Sequence, residues 1–208
     1  MTVEEKLGYI GGIDWMYTKS IDRLGIHRMR MSDGPQGIGT KGKSTAYPAT
    51  VTLAATWNEN LAYQYGKALG RDCRARNINV ILGPAVNIYR APMCGRNFEY
   101  MGEDPYLTSR ICVGYIKGVQ DQGVMATVKH FVANNSDYDR NNISNDIDER
   151  TLNEIYFPAY KAAIQEAEVG AIMTSYNLMN GIYTTENPWL LKEVLRNQWG
   201  FKGLVMSC

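Results

Sequence analysis

The chain has 208 residues, 45% of them apolar and 21% charged, which supports one substantial hydrophobic core and excludes disorder, collagen and coiled coil. With 22 basic and 21 acidic residues the formal net charge is +1, and no basic stripe is interleaved with aromatics. Nucleic acid and anionic membrane therefore lose their electrostatic basis as partners.

No run approaches about 18 consecutive apolar residues, and Met1-Thr2-Val3-Glu4-Glu5-Lys6 is not a basic segment leading into an apolar one. Neither a membrane span nor a secretion signal is expected, so the sequence reads as cytoplasmic. Cys73, Cys94, Cys112 and Cys208 are widely spaced, form no C-x-x-C pair, and have only His27 and His130 as imidazole partners. Neither a zinc site, another metal, an organic cofactor nor a disulfide framework is expected, and chemistry must rest on Asp, Glu, Arg, Lys and Tyr.

In chain order, six short apolar runs are predicted as strands: 26–33, 51–57, 78–86, 124–131, 171–176 and 203–208. They are rich in Val, Ile, Leu and Met without strict alternation, which suits strands covered on both faces. Between them lie helices. Asn58 precedes one in which Leu61, Tyr65, Ala68, Leu69 and Cys73 recur at helical spacing, and Asp104-Pro105 and Asn187-Pro188 each put a capping side chain before a proline at the first helical position. A further helix, 148–168, carries Leu152, Ile155, Tyr156, Ala159, Tyr160 and Ala163 on one face, with Pro158 inside it predicting a kink or a late start.

Alternating strands and helices argue for an α/β fold with a parallel sheet, either doubly wound or a barrel. Asp33, Lys129, His130, Tyr176 and Ser207-Cys208 all fall at the carboxyl ends of predicted strands, which favours a (β/α)8 TIM-barrel-like domain. A closed barrel needs eight strands and about 250 residues. Residues 1–208 are therefore expected to form a single barrel domain, incomplete at its C-terminal side, with an open sheet edge that favours aggregation or a complementing partner.

Residues 37–44, Gly37-Ile38-Gly39-Thr40-Lys41-Gly42-Lys43-Ser44, match the phosphate-binding pattern G-x-x-x-x-G-K-[ST]. That pattern needs a helix starting at the Lys-Ser step. Pro48 and the β-branched Thr50-Val51-Thr52 oppose one, so a plain loop is the favoured reading.

Four segments, in order, cover most of the chain: Met31-Ser32-Asp33-Gly34-Pro35-Gln36-Gly37; Gly95-Arg96-Asn97-Phe98-Glu99 with Gly102-Glu103-Asp104-Pro105; Lys129-His130-Phe131; and Met173-Thr174-Ser175-Tyr176-Asn177. Together with the ending Gly200 to Ser207, they resemble the N-terminal barrel domain of glycoside hydrolase family 3, the β-glucosidase-like enzymes. The resemblance implies that Asp33 accepts hydrogen bonds from sugar hydroxyls far from the scissile bond, and that Arg96, Lys129 and His130 hold others. Arg140 matches a position that often carries arginine. Tyr176 would sit near the reacting carbon, and Met173 would line the pocket.

Physical chemistry agrees with such roles, since a pyranose needs fixed donors and acceptors in a cleft. Each residue also has a plainer reading. Asp33 can shape a turn, Lys129 and His130 can be strand-end surface residues, Arg96 can form a solvated pair with Glu99 or Glu103, and Tyr176 can be core. Two glycosylation sequons, Asn134-Asn135-Ser136 and Asn142-Ile143-Ser144, lie in the loop around Arg140.

The family's nucleophile is an Asp following the Ser that matches Ser207; here that catalytic position is Cys208. A thiol lacks the carboxylate's geometry and charge, and the family's acid/base lies in a later segment. The leading expectation is the sugar-binding part of a retaining β-glucosidase-type hydrolase acting on terminal non-reducing β-D-glucosyl residues, inactive by itself. The alternatives are a catalytically dead carbohydrate-binding or scaffold fragment needing a partner chain, and a nucleotide binder through residues 37–44. A β-glucoside or oligosaccharide is the expected ligand, with a complementing C-terminal chain or a second copy as possible partner.

Overall fold

A computed structural model describes residues 1–39 and 42–208. Its strands are β1 (Met31–Asp33), β2 (Val80–Leu82), β3 (Met125–Phe131), β4 (Ser144–Asn145), β5 (Ala171–Thr174), β6 (Leu178–Met179), β7 (Ile182–Tyr183) and β8 (Leu204–Met206). The helices are α1 (Val3–Ile10), α2 (Thr50–Ala54), α3 (Glu59–Ala75), α4 (Pro105–Gln120), α5 (Glu149–Thr151) and α6 (Pro158–Gln165). Residues Leu152–Tyr156 and Trp189–Gln198 wind in wider, π-type turns.

Five strands form one parallel sheet in the order β1-β2-β3-β5-β8, with Met31 opposite Val80, Val80 opposite Met125, Thr127 opposite Ala171 and Ala171 opposite Leu204. Every strand therefore ends on the same side. The sheet is not closed among the described residues, so the architecture is the expected TIM-barrel-like α/β arrangement with five of its strands in place rather than six. β4, β6 and β7 make a separate small sheet that the apolar runs did not announce.

The predicted strand 51–57 is the correction. Residues Thr50–Ala54 are the helix α2, although Thr50-Val51-Thr52 is β-branched. Tertiary contacts override that propensity: buried Thr50 donates its hydroxyl to the carbonyls of Glu99 (2.7 Å) and Tyr100 (3.2 Å), and Leu53 and Ala54 enter the main core.

The helix starts follow the capping signals. Asn58 Oδ1 accepts from the Leu61 amide at 2.9 Å, Asp104 Oδ1 from Tyr106 (2.7 Å) and Leu107 (2.9 Å), and Asn187 Oδ1 from Leu190 at 3.1 Å. Leu61 itself is exposed, and Ala62 takes its place in the core, one position round the helix. The predicted helix 148–168 is interrupted as Pro158 requires: α5 passes into the π-type turn, and α6 begins at the proline.

Below the carboxyl ends of β3 and β5, Phe131 packs against Tyr160, Trp199 and Phe157, with ring centroids 5.0, 5.8 and 6.0 Å apart. These four rings belong to the main hydrophobic core. No described helix is long and apolar enough to cross a membrane.

Candidate active site

A cavity of about 800 Å³ opens at the carboxyl ends of the sheet strands. Asp33, Arg96, Lys129 and His130 line it, as do Met173, Tyr176 and Cys208. They come from the ends of β1, β3, β5 and β8 and from the loop after β2, so residues more than 170 positions apart in sequence meet here by topology alone. Arg140 does not line the cavity. It stacks its guanidinium 4.4 Å from the centroid of the Tyr176 ring and pairs with Asp137 at 3.5 Å.

Lys129 and His130 stand where β3 leaves regular register with β5, between Val128 and Phe131. The Lys129 backbone instead joins the 84–86 segment, donating to the Pro84 carbonyl (3.0 Å) and accepting from Val86 (2.8 Å). Asn87 clamps His130, accepting from its amide at 2.8 Å and donating to its carbonyl at 3.0 Å, while Tyr160 donates to the same carbonyl at 2.7 Å. Irregular backbone paired this way is stable because the amides and carbonyls of Lys129 and His130 have all found partners.

Lys129 is not a strand-end surface residue: its side chain is 3% exposed. Its ammonium lies 3.4 Å from Glu99 Oε2 and 3.8 Å from Asp33 Oδ1. Asp33, by contrast, keeps a 62% exposed side chain, with its carboxylate at the cavity wall. His130 is buried with both ring nitrogens lacking a hydrogen-bond partner among the described residues. Burial first, then the neighbouring Arg96, Lys129 and Arg140 cations, holds the imidazole well below its usual value and hence neutral. A neutral imidazole carries one donor and one acceptor, the combination that a hydroxyl requires.

The Cys208 thiol beside Tyr176 pushes its phenol up, by hydrogen bonding first and then by charge and burial. Met173, in β5, supplies apolar wall.

Arg96 pairs with Glu99, as one of the sequence readings allowed, but the pair is not solvated: the side chains are 16% and 3% exposed. Glu99 thus enters the site as a residue that sequence reasoning did not select. The i,i+3 spacing in Arg96-Asn97-Phe98-Glu99 was visible; its burial beneath Lys129 was not. Asn87 gave no signal either. The segment around Trp15 also borders the cavity, with the indole 94% exposed.

Two positions of the 37–44 motif, Thr40 and Lys41, lie outside the described residues. No helix begins at Lys43-Ser44, and the Ser44 hydroxyl donates to the Ile38 carbonyl at 2.9 Å. The element that would present amides to a phosphate is missing there. Of the two sequons, Asn134 is buried and donates to the Tyr100 hydroxyl at 2.9 Å, whereas Asn142 is exposed.

Known proteins share this fold. The chain is 48% identical to a beta-glucosidase of Rhizobium radiobacter and 45% identical to thermostable beta-glucosidase B of Acetivibrio thermocellus, in both cases over its whole length. It is 40% identical, again over its whole length, to an exo-alpha-(1->6)-L-arabinopyranosidase of Bifidobacterium breve. Among solved structures it superposes on beta-glucosidase 3B of Thermotoga neapolitana in complex with glucose (TM-score 0.94, 38% identity) and on a beta-glucosidase of Bifidobacterium adolescentis (TM-score 0.97, 42% identity), both over 100% of this chain. The chain spans 26–32% of the length of these relatives. The family model described as "Glycosyl hydrolase family 3 N terminal domain" matches residues 12–208, and the chain belongs to that family.

Proposed function

We propose that this chain forms the sugar-holding part of a retaining β-glucosidase-type hydrolase, and that it binds a terminal β-D-glucosyl unit without cleaving it by itself. The observation that carries the reading is the convergence of Asp33, Arg96, Lys129, His130, Met173 and Tyr176 on one cavity. Asp33 offers an accessible acceptor for vicinal hydroxyls, Lys129 and Arg96 offer donors that cannot accept, and neutral His130 offers either. Among the described residues lining this cavity, Asp33 is the only one with a side-chain carboxylate.

Retaining cleavage uses two carboxyl groups about 5–5.5 Å apart, one as nucleophile and one as acid/base. Cys208 stands where the resemblance puts the nucleophile, so the chemical step calls for an aspartate there and an acid from a further segment, which a complementing chain could supply. The test is calorimetric titration with glucose and gluconolactone beside p-nitrophenyl β-D-glucoside hydrolysis. Binding without turnover, with binding lost in Asp33→Ala, is the expected result. Turnover by the unaltered chain that disappears in Asp33→Ala would overturn the inactivity, and ATP binding that disappears in Lys43→Ala would favour the nucleotide reading instead. Because one relative is named for L-arabinopyranose, that sugar belongs in the titration, and tighter binding of it than of glucose would change the assigned substrate.

A further inference from the structure

We propose that Glu99 is the positioning residue of this site, fixing Arg96 and Lys129 relative to each other so that both present donors to the sugar; the proposal rests on the sugar-binding reading above. Glu99 does not line the main cavity. It borders a smaller one of about 420 Å³ behind the Asp33, Arg96 and Lys129 side chains. Each of its oxygens serves a different cation: Oε1 takes Arg96 and Oε2 takes Lys129 at 3.4 Å. With both oxygens engaged by cations, the carboxylate acts through them and does not reach the substrate.

The backbone is built to hold it there. Glu99 closes the 3-10 turn Asn97–Glu99, its amide donating to the Arg96 carbonyl at 3.1 Å, and its own carbonyl accepts the buried Thr50 hydroxyl at 2.7 Å. The misread segment at 50–54 is thus part of the support of the site. Four charges then alternate in sign from Asp33 through Lys129 and Glu99 to Arg96. A sugar is neutral and cannot offset the buried Lys129 and the half-buried Arg96, so without Glu99 the two cations would face each other and turn apart. Asp33 reaches only Lys129, at 3.8 Å, and is too exposed to take over.

The experiment is glucose titration of the unaltered chain, Glu99→Gln, Lys129→Met and the double variant, with thermal unfolding of each recorded in parallel. Glu99→Gln keeps the shape and removes the charge. Its expected effect is glucose binding weakened at least about ten-fold, with the double variant weakened by less than the product of the two single losses, since the two substitutions overlap at the Lys129 donor. Glu99→Asp, which keeps the charge on a shorter arm, is expected to fall between Glu99→Gln and the unaltered chain, and decides the matter if Glu99→Gln does not fold. Unchanged affinity in Glu99→Gln, an affinity in Glu99→Asp equal to the unaltered chain's, or losses that multiply in the double variant would overturn the proposal. If the unaltered chain binds neither glucose nor gluconolactone, the sugar-site reading itself fails, and this proposal falls with it.

Discussion

Arg140 does not line the cavity but lies over the ring of Tyr176, which does, with its guanidinium 4.4 Å from the centroid. Asp137 pairs with Arg140 at 3.5 Å, so the cation is tethered where it supports the cavity-lining Tyr176 ring. A partly exposed cation–π contact contributes about 1 kcal/mol. Arg140→Gln is therefore expected to weaken glucose binding roughly five-fold. Asp33→Ala, which removes a charged acceptor of two hydroxyls, should cost about two orders of magnitude. Equal losses in the two variants, measured by titration, would mean that Arg140 touches the sugar directly.

The contact between α3 and α4 is set by glycines. A methyl group on Gly66 would stand 2.1 Å from the Tyr115 carbonyl oxygen, and one on Gly118 would stand 2.1 Å from that of Tyr63. Backbone on both sides cannot give way as a flexible side chain could. Gly118→Ala should therefore destabilise the fold by about 3 kcal/mol through overpacking, far beyond the small gain in helix propensity. Urea unfolding would check this, with Gly123→Ala as a contrast. At Gly123 an added methyl meets nothing within 4 Å, and only the positive φ of 72° is strained.

What the sequence revealed depended on how locally each feature is determined. The starts at Asn58, Asp104 and Asn187 were legible because a cap is settled within a few residues. The strand end carrying Lys129 and His130 was legible because a parallel strand buried on both faces reads as an apolar run, and Asp33 was legible as the polar residue closing a short apolar run. Thr50-Val51-Thr52 misled because its helix is held by carbonyls 49 and 50 positions away. Glu99 escaped for the same reason, since a loop carboxylate near an arginine reads as solvated until Lys129 arrives from another strand. The ribbon β4-β6-β7 is built of two-residue strands, too short for any period to register.

Thiol chemistry offers a probe of the cavity. Cys73, Cys94 and Cys112 are buried, and burial pushes all three thiols up, Cys73 to about 12. Cys208 is partly exposed and lines the cavity. Since the thiolate is the reacting form, a disulfide reagent at neutral pH should label one cysteine rapidly and three only on unfolding. Saturating glucose should slow that single rapid phase, and Cys208→Ser should remove it. Rapid labelling that glucose leaves untouched would place the sugar elsewhere.

The acid side of the stability curve should carry the signature of His130. Its folded-state value lies well below the ordinary 6.5 because burial, then Arg96, Lys129 and Arg140, oppose protonation. The unfolded chain therefore binds a proton that the folded chain refuses, and stability rises with pH wherever the unfolded state holds more protons. Above about 6.5 both states are neutral at this position and the contribution is complete; it is lost as pH falls from there toward the folded value. The carboxylates that pairing lowers, Glu5 and Glu166 among them, have ordinary values of 4.5 and their losses lie at lower pH. Unfolding midpoints between about pH 6.5 and 5 thus isolate the histidine. The unaltered chain should lose stability across this window, and His130→Gln, which cannot titrate, should show a flatter profile even if it is less stable at pH 7. Parallel profiles for the two proteins would mean that the imidazole takes up its proton in the folded state as readily as in the unfolded one, and the neutral donor–acceptor role given to it would have to be withdrawn.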